Sequence, residues 1–576
     1  MLDTEQAIAI SIVTRANCMI DDSRNMFGSL SRFCPGEVLG DFLQAISPVT
    51  QFSTLCGRIL RSSALRRYIA EVIFGFAWRC TWCSVSRVED MREMTAPMSL
   101  DQAASTVGTL KGSLGVTSIV LSVVATAAPL SVMVANSPLL ISMGNSAAAP
   151  FHALVAMIIM FLFAAGFTAM SKYIKNAGAF YSYIQKGLGR TVGLGSATTA
   201  LLSYSFILVA LEAYLGYAIS TMISTFFDIS LPWWVLSLAV IMVVGFFGYR
   251  DIALSSKFLT VALVLEIAVV LAVDAAVLFR HGLSGMVLSP ISPSTALSGS
   301  PGLGVMWAIF SFIGFEATVI FREEAKDPDR TIPLATYVAV VTIGLFYIVS
   351  MWCEVVGFGV ENVVAAANAH PGDLYQILIR NYLGTAFEDI SQILVVTSLF
   401  ACVLSLHNIV VRYQYVLGKY GVLSHKVGVV HPQHGSPHVS SIVQTLTSIV
   451  ALVVIVMSGL NPVSQIFAWG GTAGTIGYML ILSLTCVSII AFFSGTSQPS
   501  NIWRTRIAPL CGLVGVVSCL GISIANLPTL VGGDGAQVIA VAMCGVIVAA
   551  FGFGCLAATA LKRMAPARYE ALKELA

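Results

Sequence analysis

Two acidic residues, Glu266 and Glu316, lie far inside apolar stretches of the sequence. Each stretch has about 20 residues, the length that a helix needs to cross a bilayer core of about 30 Å. At about 1.5 Å per residue, Glu266 lies roughly 18 Å and Glu316 roughly 21 Å from the start of its stretch. A carboxyl group at that depth costs at least about 2.5 kcal/mol and usually belongs to an ion or proton pathway. We therefore predict proton coupling by Glu266 and, as second candidate, Glu316; a neutral acid that only joins two helices is the alternative.

Three further acids, Glu212, Asp274 and Glu354, fall near the predicted outer ends of apolar stretches. Water can solvate a carboxylate at such a position, which removes most of the cost of the charge. We therefore predict that these three residues are structural.

Two of the apolar stretches are interrupted near their middles. Pro129 removes a backbone donor, and Gly314 loosens the helix just before Glu316. The two positions are 185 residues apart, and the starts of the two stretches, at 115 and 302, are 187 apart. Matched interruptions indicate a transporter built from inverted repeats, whose free N–H and C=O groups bind a carboxylate and an ammonium; simple kinks are the alternative. The predicted binding residues are Ala127, Ala128, Pro129, Leu130 and Ser131, together with Phe310, Ser311, Phe312, Ile313 and Gly314.

The composition places these groups in a lipid bilayer. Of 576 residues, 57% are apolar and 10% are charged, whereas a soluble domain has about 25% charged residues. This excludes a soluble, fibrous or disordered protein, and the formal net charge of +2 argues against a nucleic-acid partner. The sequence predicts an all-α polytopic membrane protein with twelve transmembrane helices, over residues 115–138, 150–170, 192–217, 232–248, 254–279, 302–320, 333–357, 389–411, 439–459, 465–493, 506–527 and 536–560.

Lys and Arg are unevenly distributed between the predicted loops. Alternate loops and the C-terminal tail hold 18 of them, and the intervening loops hold only Arg280 and Arg380. Because positively charged loops stay in the cytoplasm, we predict a multi-pass protein of the cytoplasmic membrane with both termini inside.

The first 110 residues are a different kind of sequence. They carry 10 Arg and 11 Asp or Glu and have no apolar run long enough to cross a membrane. Little apolar surface is available there to offset the entropy of ordering. We predict a disordered cytoplasmic extension over residues 1–110, a transmembrane domain over 111–562 and a cytoplasmic tail over 563–576. An amphipathic surface helix is the alternative for 68–83, and we expect residues 1–98 to be dispensable for folding and transport.

Histidines suggest chemistry of two other kinds. His407 and Asn408 lie inside the eighth stretch and are compatible with a membrane acyltransferase, but no second reactive group adjoins them in the sequence. Without cysteines or clustered acids nearby, a solvated loop is a better interpretation than a metal site for the histidines of one predicted inner loop. Those histidines are His425, His431, His434 and His438. We expect no metal and no other cofactor.

Three segments carry an ordered pattern of glycine, aromatic and charged residues. Residues 312–316 read FIGFE and residues 323–333 read EEAKDPDRTIP. Residues 176–190 contain NAGAFYSY and GLGR, and a third segment runs from Asn408 and Arg412 to the Ser-Pro pair at 436–437. Together these segments resemble the amino acid–polyamine–organocation superfamily of permeases, and the resemblance covers about residues 115–560.

The resemblance implies a LeuT-like fold, in which helices one to five are repeated, inverted, as helices six to ten and helices one and six are discontinuous. It also implies substrate binding at residues 127–131 and 310–314. The chain departs from the superfamily at two places. Residues 127–131 read AAPLS, where many members have a Gly-small-Gly run, and Glu266 stands where some members place a Lys. A Lys there substitutes for a coupling sodium, whereas a Glu offers a proton acceptor or a partner for a cationic substrate.

These observations predict a secondary transporter of amino acids that couples uptake to a proton gradient. Sodium is the alternative coupling ion, and a polyamine or other organic amine, moved by uptake or exchange, is the alternative substrate. A channel fits less well because the matched interruptions are not a feature of a pore, and the membrane enzyme is the most remote hypothesis. The sequence does not indicate an oligomeric state.

Overall fold

The computed structural model describes residues 114–174, 180–250, 252, 256–285, 287–431, 435–495, 501–533 and 535–572. Contacts divide the chain after Thr109, and the second unit, Leu110–Ala576, contains all of the described residues. The predicted extension over residues 1–110 lies outside them.

Twelve helices of the described residues are long and apolar enough to cross a membrane, which confirms the predicted number. We name them in chain order: α1 Val116–Gly144, α2 Ala149–Ser171, α3 Arg190–Phe227, α4 Trp233–Arg250, α5 Leu259–Gly282, α6 Pro301–Val319, α7 Pro328–Phe358, α8 Thr385–Lys419, α9 His438–Met457, α10 Pro462–Ser494, α11 Trp503–Val531 and α12 Ala536–Met564. The described residues form no β-strand; a single bridge between Leu114 and Ala325 joins the start of α1 to the segment after α6.

Two helices are longer than the apolar stretches that predicted them. Residues 192–217 belong to α3, which continues to Phe227, and residues 389–411 belong to α8, which continues to Lys419. Hydropathy marks only the part of a helix that matches the apolar core, because helical hydrogen bonds continue into the polar boundary. Glu212 is therefore 15 residues before the end of α3, about 22 Å along its axis.

Both predicted interruptions are present. In α1, regular helix ends at Thr126, Ala128 adopts a left-handed conformation with φ 46° and ψ 66°, and helix resumes at Pro129. In α6, regular helix ends at Phe310, and Gly314 with φ 108° precedes a 3-10 helix. Twelve helices, of which the first and sixth are discontinuous, agree with the predicted LeuT-like fold.

The middle of the bundle is packed through small residues, and its periphery exposes large apolar ones. A Cβ atom on Gly477 of α10 would lie 1.9 Å from the Ser203 hydroxyl of α3, so these two helices approach closely. Met242 of α4, Val450 of α9 and Val541 of α12 are more than half exposed. This is the distribution that a lipid environment requires, since lipid can cover apolar side chains that water cannot.

Candidate functional site

A cavity of about 540 Å³ lies at the interruptions of α1 and α6. Residues of α3, α5, α8 and α10 complete its wall. The cavity extends along Ser118 and Ser122 in the first half of α1, Thr260 at the start of α5, and Ile409 in the last part of α8. The distribution of Lys and Arg predicts these ends to be cytoplasmic, so the cavity extends from the middle of the bundle toward that predicted side.

Most of the predicted site residues line this cavity, and the others lie beneath its wall. Pro129 and Leu130 are buried, and Phe312, which is 1% exposed, packs its ring against Tyr347 with centroids 6.3 Å apart. The predicted residues that line the cavity are Ala127, Ala128, Ser131, Phe310, Ser311, Ile313, Gly314, Glu266 and Glu316. Their contact with a substrate stays a prediction.

An aromatic cluster closes the other end of the cavity. Ring centroids of Trp307 and Phe310, both of α6, are 5.3 Å apart, and those of Trp307 and Phe467 of α10 are 5.7 Å apart. Tyr214 of α3 adds a ring 4.9 Å from Phe467. Such a packed set of rings excludes water. It lies in the predicted outer halves of these helices, so the structure has its predicted outer side closed.

Asn136 of α1 joins the two broken helices and was not identified from the sequence. Its Nδ2 group donates to the Trp307 carbonyl oxygen at 3.0 Å and also to the Ser311 hydroxyl. Its Oδ1 atom is buried and accepts no hydrogen bond from the described residues. Because Asn136 lines the cavity, it offers an acceptor there. The sequence signal was a lone amide seven residues after Pro129 in an apolar stretch.

Glu316 accepts hydrogen bonds on both of its carboxyl oxygens. The Tyr204 hydroxyl of α3 donates to Oε1 at 3.0 Å, and the Tyr478 hydroxyl of α10 donates to Oε2 at 3.3 Å. The backbone N–H of Gly314 also donates to Oε2, at 2.9 Å. Glu316 therefore joins α6 to α3 and α10 and caps the helical segment that follows the interruption.

Glu266 is only partly hydrogen-bonded. Its partners are the Ser398 side chain of α8 and the backbone N–H of Leu130, at the start of the second half of α1. The residue is 3% exposed, and Oε2 has no partner among the described residues. Glu266 thus joins α5 to α1 and α8 at the cavity wall while keeping one acceptor free.

The free polar atoms of the cavity are mainly acceptors. The N–H groups of Leu130 and Gly314 already donate to the chain's own carboxyl groups. The atoms without a partner among the described residues include Glu266 Oε2, Asn136 Oδ1 and Ser131 Oγ. Among the described residues that line the cavity, none is Lys, Arg or His. A wall of this kind can solvate a cationic group such as an ammonium.

The three acids predicted to be water-solvated are buried instead. Glu212 is 2% exposed, Asp274 3% and Glu354 0%, so that prediction is wrong. Glu212 lies well inside α3, and the Ser448 hydroxyl of α9 donates to its Oε1 at 3.0 Å. Asp274 and Glu354 are near helix ends but are covered by neighbouring helices, because position along a helix does not reveal what packs over it.

Glu212 belongs to a series of hydrogen-bonded side chains that connects α8, α9 and α3 away from the cavity. Gln414 of α8 donates to Gln444 of α9 at 2.8 Å, and Gln444 donates to Ser448 at 3.2 Å. Ser448 then donates to Glu212 of α3. These residues do not line the cavity. They satisfy one another's hydrogen bonds only in part, because Glu212 Oε2 and Gln414 Oε1 have no partner among the described residues.

The histidines also lie away from the cavity. His407 of α8 shares a hydrogen bond of 3.1 Å with Ser441 of α9. The rings of His431 and His438 pack edge to face, 4.9 Å apart, whereas His434 lies outside the described residues. No group of three potential metal ligands was found in the part of the chain that the structure describes.

The chain is similar to known proteins of one family. A model of the family described as Amino acid permease matches residues 118–563. The chain is 25% identical over 304 residues to the low-affinity putrescine importer PlaP of Escherichia coli (strain K12), covering 52% of this chain and 65% of the importer.

Two other relatives match over shorter regions. A probable GABA permease of Pseudomonas aeruginosa is 29% identical over 189 residues, which are 31% of this chain and 38% of the permease. An uncharacterized transporter of Mycobacterium tuberculosis is 20% identical over 228 residues, which are 35% of this chain and 47% of that protein. The chain thus spans less than two thirds of the length of these relatives. The family match, which extends from the first membrane helix to the last, shows that the chain belongs to the amino acid permease family.

Proposed function

We propose that this protein is a secondary transporter that couples uptake of a small molecule bearing a primary ammonium group to a proton gradient. The observation that carries the proposal is the free Oε2 atom of Glu266 at the interruption of α1, in the wall of the central cavity. Membrane carboxyl groups in such positions usually belong to ion or proton pathways. The family match and the twelve helices support transport over catalysis.

The cavity favours an amine over a compound that needs an anion site. Two relatives are named for putrescine and GABA, which share a primary ammonium on a short alkyl chain. An ammonium would bind Glu266 Oε2 and Asn136 Oδ1, which are both acceptors without a partner among the described residues. A second candidate is an α-amino acid, which the family description favours. Its carboxylate would need the N–H groups of Leu130 or Gly314, which already bind Glu266 and Glu316.

Proton coupling follows from the chemistry of a single carboxyl group. One oxygen of Glu266 can carry a proton while the other accepts from the ammonium, so proton and substrate would cross the membrane together and be released on the side where the proton concentration is lower. A sodium ion at Glu266 and Ser398 is the competing arrangement, because both residues offer oxygen ligands. No resident cofactor is needed, since the ion gradient supplies the free energy.

Alternating access would use the two interruptions as hinges. The aromatic cluster of Trp307, Phe310, Phe467 and Tyr214 closes the predicted outer side, and the cavity extends toward the predicted cytoplasmic side. Movement of the helix halves at Ala128 and Gly314 would open the outer side and close the cytoplasmic side, as broken helices do in transporters built from inverted repeats.

The test is uptake into liposomes that contain the purified protein. Labelled putrescine, GABA and alanine are offered in turn, first with an imposed pH gradient and then with a sodium gradient alone, with protein-free liposomes as the control. We expect accumulation of an amine with the pH gradient and its loss when a protonophore is added. Accumulation driven by a sodium gradient alone would show that the coupling ion is sodium and not a proton. If none of the compounds is accumulated or exchanged under either gradient, the proposal is wrong.

A further inference from the structure

After α12 the chain continues as a short helix, Pro566–Ala571, which contacts the start of α3. Arg190, the first residue of α3, donates from Nη1 and Nη2 to the two carboxylate oxygens of Glu570, at 2.9 and 3.1 Å. Its guanidinium also donates to the Tyr569 carbonyl oxygen at 3.1 Å and lies over the Tyr569 ring, 4.9 Å from the centroid. A paired contact of this kind fixes position as well as charge. We call residues 566–572 the strap.

Leu572 anchors the end of the strap. It is 0% exposed, although most residues of the strap are exposed or only partly buried. The Gln185 side chain donates from Nε2 to the Leu572 carbonyl oxygen. Gln185 belongs to the helix Phe180–Leu188, which lies between α2 and α3 and which we call the loop helix. The strap is therefore held by a buried apolar side chain and by hydrogen bonds as well as by its charge.

The loop helix fits closely between α3 and α10. A Cβ atom on Gly193 of α3 would lie 2.6 Å from the Gln185 Cβ atom, and one on Gly187 would lie 2.2 Å from the Ser488 carbonyl oxygen of α10. The Ser488 hydroxyl also donates to the Tyr183 carbonyl oxygen at 2.6 Å. Because close-packed elements transmit displacements to their neighbours, a movement of the loop helix must be accompanied by a movement of what it contacts.

A series of tyrosine rings connects the loop helix to the interruption of α6. Tyr181, one turn before Gln185, has its ring centroid 5.6 Å from that of Tyr413 of α8. The Tyr413 ring lies 5.9 Å from that of Tyr204 of α3, whose hydroxyl donates to Glu316 at 3.0 Å. All three rings are buried. Packed side chains therefore run without a gap from the strap to the acid that follows Gly314.

We propose that the strap is a conformational clamp, which stabilises the arrangement whose cavity extends toward the predicted cytoplasmic side. When docked, it keeps the loop helix in place, and the tyrosine series holds the second half of α6 against α3. When released, it frees the loop helix, and the equilibrium shifts toward the arrangement that is closed on that side. The inference rests on the alternating access of the proposed function, but not on its substrate or its coupling ion.

The strap is held weakly enough to be released while the bundle stays folded. The Glu570 side chain is 60% exposed and that of Arg190 is 16% exposed. Ion pairs that water reaches contribute little to stability, and salt screens them further. The strap follows the last membrane helix, so its departure breaks no contact between membrane helices. Higher ionic strength on the side of the strap therefore favours its release.

Alkylation of a cysteine in the cavity tests the proposal without any substrate. In the full chain in lipid nanodiscs, Ser118→Cys places a thiol in the cavity wall, and its reaction with N-ethylmaleimide is followed by mass spectrometry of its peptide. We expect Glu570→Arg to slow the reaction several-fold, because the cavity closes on that side. The reversed pair Arg190→Glu/Glu570→Arg should restore the rate. The control Arg563→Glu, at an exposed residue near the end of α12, should leave it unchanged.

An unchanged alkylation rate in Glu570→Arg would overturn the proposal, as would a slower rate that the reversed pair does not restore. Hydrogen exchange of the backbone N–H groups in residues 180–188 is a second measurement, which needs no variant. It should become faster in the wild type at high salt, and faster still in Glu570→Arg. Unchanged exchange would show that the strap does not hold the loop helix. Because neither measurement requires transport, failure here is distinct from failure of the proposed function.

Discussion

The interruptions of α1 and α6 have the same backbone arrangement but differ in the hydrogen bonding of the acid beside them. At each, a residue in the left-handed conformation ends one half-helix, and a carboxyl group caps the start of the next. In α6 the left-handed residue is Gly314 and the acid, Glu316, has donors on both oxygens. In α1 the left-handed residue is Ala128 and the acid, Glu266, keeps Oε2 free.

This difference separates two roles that depth in the membrane does not separate. A carboxyl group with a donor on each oxygen holds helices together, because any new ligand must share an oxygen that already accepts a hydrogen bond. One with a free oxygen can take a proton or an ammonium without that cost. We therefore propose that the α6 side of the site is fixed and that proton and substrate exchange at the α1 side.

The variant Glu266→Gln should have the largest effect. The amide keeps the shape of the side chain but cannot take up or release a proton, so we expect accumulation driven by a pH gradient to be abolished while exchange of substrate is partly retained. Uptake into liposomes measures both. The matched control is Glu361→Gln, an exposed acid in the loop after α7, which should behave as wild type. Unchanged pH dependence in Glu266→Gln would reject the division of roles.

The variant Glu316→Gln should act on stability and not on coupling. A hydrogen bond to a charged group contributes about 1.5–3 kcal/mol. The amide nitrogen of Gln cannot accept, so at least one of the bonds from Tyr204, Tyr478 and Gly314 is lost and the others are weakened. We expect a lower melting temperature in nanodiscs and slower uptake at every pH, with the shape of the pH profile unchanged. The variant Tyr478→Phe, which removes the longest of these bonds, should show a smaller loss of stability. A changed pH profile would give Glu316 a coupling role.

The variant Gly314→Ala tests the backbone of the α6 interruption. Gly314 has φ 108°, a conformation that L-residues rarely adopt. Strained backbone conformations cost about 1–3 kcal/mol each. We expect a melting temperature that falls accordingly, measured by thermal unfolding in nanodiscs. An unchanged melting temperature would mean that the half-helices can realign at little cost.

The variant Ala128→Gly is the counterpart in α1 and should have the smallest effect. Ala128 already has φ 46°, so glycine relieves strain in the folded state and adds freedom to the unfolded state. The two terms nearly cancel, and we expect a change within about 1 kcal/mol. The same thermal assay compares it with Gly314→Ala. A loss as large as that of Gly314→Ala would contradict the assignment of strain at Ala128.

The sequence predicted the parts of this site that depend on a single residue. Pro129 and Gly314 located the interruptions, and the position of Glu266 within an apolar stretch located an acid in the cavity wall. It did not predict which acid has donors on both oxygens, because the hydrogen-bond partners are far away in the sequence. Tyr204 is 112 residues and Tyr478 is 162 residues from Glu316. The same limit applies to Glu212, whose depth depends on the true length of α3 and whose hydrogen-bond partner is a serine of α9.

The contact between Glu212 and Ser448 bears on how the chain is assembled in the membrane. The two residues are 236 positions apart. At a synthesis rate of about 5–20 residues per second, the acid of α3 waits roughly 10–50 s before its partner on α9 is made. During that interval the acid lies on a helix that has already left the ribosome and has no α9 to pack against. Insertion of α3 into lipid must therefore proceed with Glu212 uncharged or sheltered by the insertion machinery. The hydrogen bond from Ser448 forms only when α9 is inserted later.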